Sequence, residues 1–505
     1  MHINYINPLI NHIRSHKNKK NAQALLHLAH HYEHVEKDYE LAKKYYLMAV
    51  NKGNRNAMNN LGRYYKDVEE KYELAKKYYR MAVNKGSRSA MNIMGSYYKE
   101  VKKDYELAKK YYQMAADKGH ADAMYNLGLH YKTEEKNYEL AKKYYQMAAD
   151  RGHSSAMYNL GFHYKNEEKN YEMAKKYYQM AVDEGHIDAM YNLGLHYKNE
   201  EKNYEMAKKY YQMAVDEGHI DAMYNLGLHY KNAENNKLAK KYYQMAADEG
   251  HTDAMYNLGA LHEHEQNYGL AKEYYQIAAD KGHIDAMFSL GCHYSNETNY
   301  ELAKKYYLMA ANKGNVLAMN NLGAHYENVE KNYTLAEKYY TMAAEKGHTT
   351  AMYNIGAHHN NNNNYALAEK YYTMAADKGH IDAMFSLGCH YSNETNYELA
   401  KKYYLMAASK GNVLAMNNLG AHYENVEKNY TLAEKYYTMA AEKGHTTAMY
   451  NIGAHHNNNN NYALAEKYYT MAADKGHIDA TYNLGALHEH EKNYLMAANK
   501  GNLFS

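Results

Sequence analysis

AMYNLGLHYKNEEKNYEMAKKYYQMAVDEGHID, residues Ala189–Asp221, decides how the whole chain is read. The preceding stretch, Ala156–Asp188, repeats it with one change, Phe162 in place of Leu195. Working outward, the opening alanine recurs at Ala57, Ala90, Ala123, Ala156, Ala189 and Ala222, spaced by 33 residues. The spacing shortens to 32 at Ala254, Ala286 and Ala318, and the series continues through Ala351, Ala383, Ala415, Ala448 and Ala480. Ala24 opens a divergent first copy. The block Ala286–Asp382 returns as Ala383–Asp479 with Asn312 replaced by Ser409. A fixed period of this size marks an array in which each copy is one supersecondary unit. The 505 residues therefore read as added units rather than as three or four ordinary domains.

Each unit reads as two helices. The first is expected over roughly Ala123–Lys132, capped by Asn56, Ser89, Asp122, Ser155 or Asp188 in successive copies, with Leu317 and Leu414 breaking the rule. The second is expected over roughly Tyr138–Asp150, capped by Asn137 (or Asp104 one copy earlier), with Glu139 placed to pair with Lys142 and Lys143. Of the 30 glycines, one set follows the second helix, from Gly53 to Gly501, where the chain must turn with positive φ. A second set lies inside the first helix, from Gly62 to Gly485. Mid-helix glycine costs about 1 kcal/mol against alanine, so its repetition predicts close helix–helix approach. Leu127, Gly128 and Tyr131 share one face of the first helix, and Ala141, Tyr145 and Ala148 one face of the second. One such hairpin has too small a core to fold alone, so neighbours must complete it. The stretch AHHNNNNNY, Ala357–Tyr365, is expected as a loop between helices.

At this point the residues resemble a known family, the Sel1-like repeats of the tetratricopeptide repeat superfamily. The resemblance rests on A-x3-LG-x2-Y (Ala123, Leu127, Gly128, Tyr131), on A-x3-Y-x2-A (Ala141, Tyr145, Ala148), and on AADKGHADA across the joint. It covers residues 24–505 as about 15 repeats, the last one truncated where Tyr494 runs directly into Leu495-Met496, after a polar leader over residues 1–23. The loop TEEKN lacks the family's Gly-x-Gly-Val pattern, and its Trp-Tyr stands here as Tyr144-Tyr145. The Tyr, Asn and Lys bias is similar to that of Sel1-like proteins of giant DNA viruses of amoebae. The resemblance implies an all-α right-handed α-solenoid whose first helices line a concave face, and a non-catalytic scaffold or adaptor for protein partners.

The charges nearly balance, with Lys+Arg 60 against Asp+Glu 58 and a net +2, which argues against a dedicated nucleic-acid binder. No run of about 18 apolar residues is present to span a membrane. With no secretory signal either, a cytoplasmic location is expected, or the host cytoplasm or virion for a viral protein. Cys292 and Cys389 sit three repeats apart, too far for a disulfide. No phosphate loop, catalytic triad or cofactor motif stands out from the repeat pattern. The histidine sets His120, His153, His186, His219 and His130, His163, His196, His229 have members one repeat apart, which favours packing over a shared metal. His358-His359 and His262-x-His264 are local exceptions without the HExxH spacing.

What remains is the inner surface that the resemblance implies. Three residues before the mid-helix glycine stand Tyr125, Tyr158, Tyr191 and Tyr224; just after it stand Leu129, Phe162, Leu195 and Leu228. Four after it stand Lys132, Lys165, Lys198 and Lys231, replaced further along by Glu263, Glu327, Glu424 or neutral residues. These three columns are expected to hold a protein or peptide partner of acidic character, with Tyr supplying contact area and Lys steering. The competing readings are a structural repeat protein without a ligand groove, and metal or small-ligand binding through histidines.

Overall fold

The structure, a computed structural model, describes the backbone of residues 21–501 and side chains as far as Glu489, with that of Lys492; the expected leader over residues 1–20 lies outside the described residues. Among these there are 29 helices and no strand. The chain divides into two units, Met1–Ala254 and Met255–Ser505. Within each, antiparallel helical hairpins stack in sequence order, the architecture of an α-solenoid.

One hairpin stands for the rest. Its first helix is Ala121–Thr133 and its second Tyr138–Ala149. The second helix begins where expected, because Asn137 accepts a hydrogen bond from the Leu140 N–H. The first begins two residues before its expected start, and the expected caps fall inside it. The capping position belongs instead to the residue after the joint glycine: Asn54, Ser87, His153, His186 and His219. His153 Nδ1 accepts from the Ala156 N–H at 3.2 Å, satisfying a first-turn donor as Asn54 does for Ala57 at 3.0 Å. Asp122 and Asp188 lie in the first turn, where a carboxylate complements the helix dipole.

Two kinds of turn close each unit. After the second helix the chain turns through glycines such as Gly152, at φ 80°. Between the helices it turns through a residue that is never glycine: Lys136, Lys169 and Lys202 at φ 52° to 54°, Asn363 and Asn460 at 59°. That left-handed conformation is strained for lysine and easier for asparagine. The stretch Ala357–Tyr365 is mostly helical rather than a loop: Thr349–Asn361 runs through it, and only residues 362–364 link it to the helix at Tyr365.

The mid-helix glycines explain the close approach. A Cβ on Gly128 would stand 2.5 Å from the ring of Tyr145, and one on Gly194 2.6 Å from that of Tyr211. Tyr145, Leu127, Ala141 and Ala148 are all buried. At the C-terminal end, Ile478–Gly501 is one continuous helix where the sequence predicts a shortened hairpin. Among the described residues no tyrosine covers its glycine, Gly485, where an added Cβ meets nothing within 4 Å. Both cysteines are free.

Candidate functional site

Neighbouring hairpins are tied by side-chain ladders that recur with the period. On the first-helix side, Asn126 donates to Asn92 at 3.0 Å, and Asn159 and Asn192 donate to the hydroxyls of Tyr125 and Tyr158 at 3.4 Å. The Tyr125 ring stacks on His153 of the next hairpin at 4.5 Å, as Tyr158 does on His186 at 4.8 Å, Tyr191 on His219 at 4.5 Å and Tyr224 on His251 at 4.4 Å. These four tyrosines are thus half-buried mortar between hairpins, each holding the histidine that caps the next first helix. On the second-helix side, Tyr144 and Tyr210 donate to Gln113 and Gln179 at 2.8 and 2.7 Å.

A third ladder takes the place of the expected Glu139–Lys142 pair, although the same spacing does pair Glu205 with Lys208 at 2.6 Å and Glu301 with Lys304 at 3.5 Å. Lys142 reaches 26 residues ahead to Glu168, at 2.5 Å, rather than back to Glu139. The same Glu168 oxygen accepts from His163 Nε2 at 3.1 Å. Lys109, Glu135 and His130 repeat the arrangement, as do Lys175, Glu201 and His196. The lysine holds the Glu168 carboxylate below the usual range, and the carboxylate in turn raises Lys142. Three members of the second histidine set, His130, His163 and His196, are therefore structural, each held by a carboxylate, whereas His229 has none among the described residues.

The two outer columns of the expected surface remain open. Leu129, Leu195 and Leu228 are half-buried, and Phe162 is exposed. Lys132, Lys165 and Lys198 are half-buried, and Lys231 is exposed. Lys132 Nζ lies 4.9 Å from the centre of the Phe162 ring, and Lys198 Nζ 3.4 Å from Asn225 Oδ1. Among the described residues none of the four pairs with a carboxylate, whereas Lys142 and Lys175 of the same hairpins do. The structure thus brings Leu and Lys columns together along one helical stripe and sets the Tyr column partly beneath it.

At the edge of this stripe lies a notch between successive hairpins. One has a volume of about 370 Å³ and is lined by Lys198, Tyr204, Ala207, Tyr211, Asn225 and His229, among others. In the second unit, Glu327, Tyr333, Asn354 and His358 line a notch of 430 Å³ in the corresponding place. The sequence reading missed the notch, because Tyr204 opens a second helix and Asn225 and His229 belong to the next hairpin. The signal available was the tyrosine that starts every complete second helix but one (Asn236), an apolar ring at a position that faces solvent.

Charge at the notch sets its chemistry. Glu327 accepts from the Tyr340 hydroxyl at 2.9 Å and lies 3.1 Å from His358 Nδ1, which must carry the proton because a carboxylate only accepts. Where lysine replaces that glutamate, the hydroxyls of Tyr145, Tyr178, Tyr211 and Tyr243 are buried without a partner. Burial pushes all four phenols well above the ordinary tyrosine value. His358 has Glu327, and His359 stacks on Tyr371 at 5.7 Å. Among the described residues no three His, Cys, Asp or Glu side chains group as a metal site, and no helix is long and apolar enough to cross a membrane.

Fourteen abutting segments, from residues 22–54 and 55–87 through 413–445 and 446–477, match the Sel1 repeat. The chain belongs to the Sel1 repeat family. Repeat solenoids of this family and of the related tetratricopeptide class are generally protein-interaction scaffolds. Among solved structures, the protective antigen c5321 of uropathogenic Escherichia coli, which displays the same repeat fold, matches at a TM-score of 0.61 and 23% identity, over 80% of this chain and 96% of that one. It shows the fold alone. A Sel1 repeat protein from Oxalobacter formigenes shares 26% identity at a TM-score of 0.38, over 44% of this chain and 96% of that one. No curated protein matches.

Proposed function

We propose that this Sel1 repeat protein is a non-catalytic scaffold that holds an acidic segment of another protein along the first helices of residues 121–232. The observation that carries this reading is the row Lys132, Lys165, Lys198 and Lys231, one per repeat and without a carboxylate partner, beside Leu129, Phe162, Leu195 and Leu228. The apolar residues supply contact area and the lysines steer the approach, so capture weakens with salt.

The test is fluorescence anisotropy with a labelled oligoglutamate peptide, with oligoglutamine as control. Wild-type protein is expected to bind the first and not the second. Lys132→Glu, Lys165→Glu and Lys198→Glu combined are expected to abolish binding while leaving the helical signal intact. Unchanged binding in that variant removes the reading.

A further inference from the structure

We propose that each notch of the lysine-edged repeats takes one carboxylate of the acidic partner, on the seat that a glutamate of this same chain fills elsewhere. This rests on the scaffold reading above and specifies its contact.

The chain carries its own comparison. At Tyr340 and Tyr437 the core hydroxyl donates to Glu327 and Glu424, each 13 residues earlier, at 2.9 Å. At Tyr275 it donates to Glu263 at 2.6 Å. Those carboxylates also bridge to the next repeat, Glu327 to His358 at 3.1 Å and Glu424 to His455 at 3.2 Å. Counting back the same 13 residues from Tyr145, Tyr178 and Tyr211 gives Lys132, Lys165 and Lys198. Lysine cannot accept a hydrogen bond, so the hydroxyl is left buried and unpartnered, a condition that native proteins rarely tolerate. Tyr211 is 1% exposed and is still among the residues that line the notch, with its buried hydroxyl unpartnered behind Lys198.

An incoming carboxylate supplies what is missing. It accepts from the Tyr211 hydroxyl, and Lys198, now on Asn225 at 3.4 Å, pairs with the charge. The notch, at about 370 Å³, has room for an aspartate or glutamate side chain, and the exposed ring of Tyr204 gives its methylenes an apolar rim. The lysine and unpartnered tyrosine recur once per repeat, as Lys132 with Tyr145, Lys165 with Tyr178 and Lys198 with Tyr211. Packed helices stand about 8–10 Å apart, and an extended chain advances about 3.3 Å per residue. A bound strand would therefore present an acidic side chain at about every third residue.

The decisive variant combines Tyr145→Phe, Tyr178→Phe and Tyr211→Phe. It removes only hydroxyls that have no partner in the free protein, so thermal stability should hold or rise. With the labelled oligoglutamate probe, the loss of three charge-assisted hydrogen bonds is expected to weaken binding at least about tenfold. Binding unchanged in this variant, while the triple lysine reversal still abolishes it, overturns the seat and leaves the scaffold reading standing. Failure of the wild-type protein to bind oligoglutamate overturns both. A second measurement needs no ligand: Lys198→Glu should close its own notch onto Tyr211, as Glu327 does onto Tyr340, and raise the melting temperature by about 2 °C. A melting temperature unchanged or lowered counts against the seat.

Discussion

The repeats around Lys165 and those around Glu327 share nearly every structural residue and differ at the mouth of the notch. In the first, Tyr178 is buried beneath a lysine column with its hydroxyl unpartnered. In the second, Glu327 gathers Tyr340 and the next repeat's His358 into a closed network. The scaffold is made by glycine, alanine and tyrosine at fixed positions, and the surface by what stands one and four residues after the mid-helix glycine. The residues that make the hairpin and those that vary along its first helix thus stand at separate positions of one repeat.

The largest expected effect attacks what both regions share. Gly194→Ala would place a methyl 2.6 Å from the Tyr211 ring, and Gly323→Ala one 2.5 Å from that of Tyr340. Each should cost roughly 2–3 kcal/mol, read by thermal melting. Gly485→Ala meets nothing within 4 Å and should instead stabilise its helix by about 1 kcal/mol. Equal losses at all three positions would show that helix propensity, not the tyrosine, sets the requirement.

The next test sharpens the difference itself. Glu327→Ala strands the Tyr340 hydroxyl and His358 Nδ1 and should cost about 1–2 kcal/mol. Lys165→Ala removes a side chain with no carboxylate partner and should stay within about 0.5 kcal/mol in denaturant melts.

A third effect is driven by pH. His153, His186, His348, His380 and His445 cap first helices through Nδ1, and burial lowers each from the ordinary value of 6.5. The unfolded chain therefore takes up protons at a higher pH than the folded one, and between the two values stability rises with pH. The contribution is complete above about 6.5 and is lost as pH falls through the lowered folded values. Each cap lost is worth about 1 kcal/mol. Replacing these five by asparagine, as Asn315 and Asn412 already cap their helices, should flatten the decline in melting temperature between neutral and mildly acidic pH.

The smallest effect lies in the inter-helix turns. Lys136→Gly relieves a φ of 52° and should gain about 0.5–1 kcal/mol, and Asn363→Gly, at 59°, less. A loss at Lys136 would mean that its side chain does more than turn.

Much of the fold was legible because it is local. The period, the hairpin, the positive φ of the joint glycines, the Asn137 cap and the burial of Leu127 and Tyr145 all follow from spacing within one repeat. What escaped is what passes between repeats. Lys142 had Glu139 three residues away, yet it reaches Glu168, because the next repeat's loop presents a second, better-placed carboxylate. The histidine caps were passed over for the Asp, Ser and Asn two residues on, since a ring nitrogen as acceptor leaves no compositional mark. Of the candidate surface, the Leu and Lys columns could be read from their variation. The role of Tyr125 as a bridge to His153, and the notch beside Tyr211, needed the neighbouring hairpin in place.

The duplicated block shows what such a construction permits. Tyr307 meets Cys292 at 3.6 Å and Tyr404 meets Cys389 at 3.5 Å; His358 meets Glu327 at 3.1 Å and His455 meets Glu424 at 3.2 Å. Because a copied segment arrives with joints that already fit, the gene can lengthen or shorten its product by whole modules without re-solving any junction. Reach becomes a heritable quantity that selection can dial in steps, independent of the residues the surface displays.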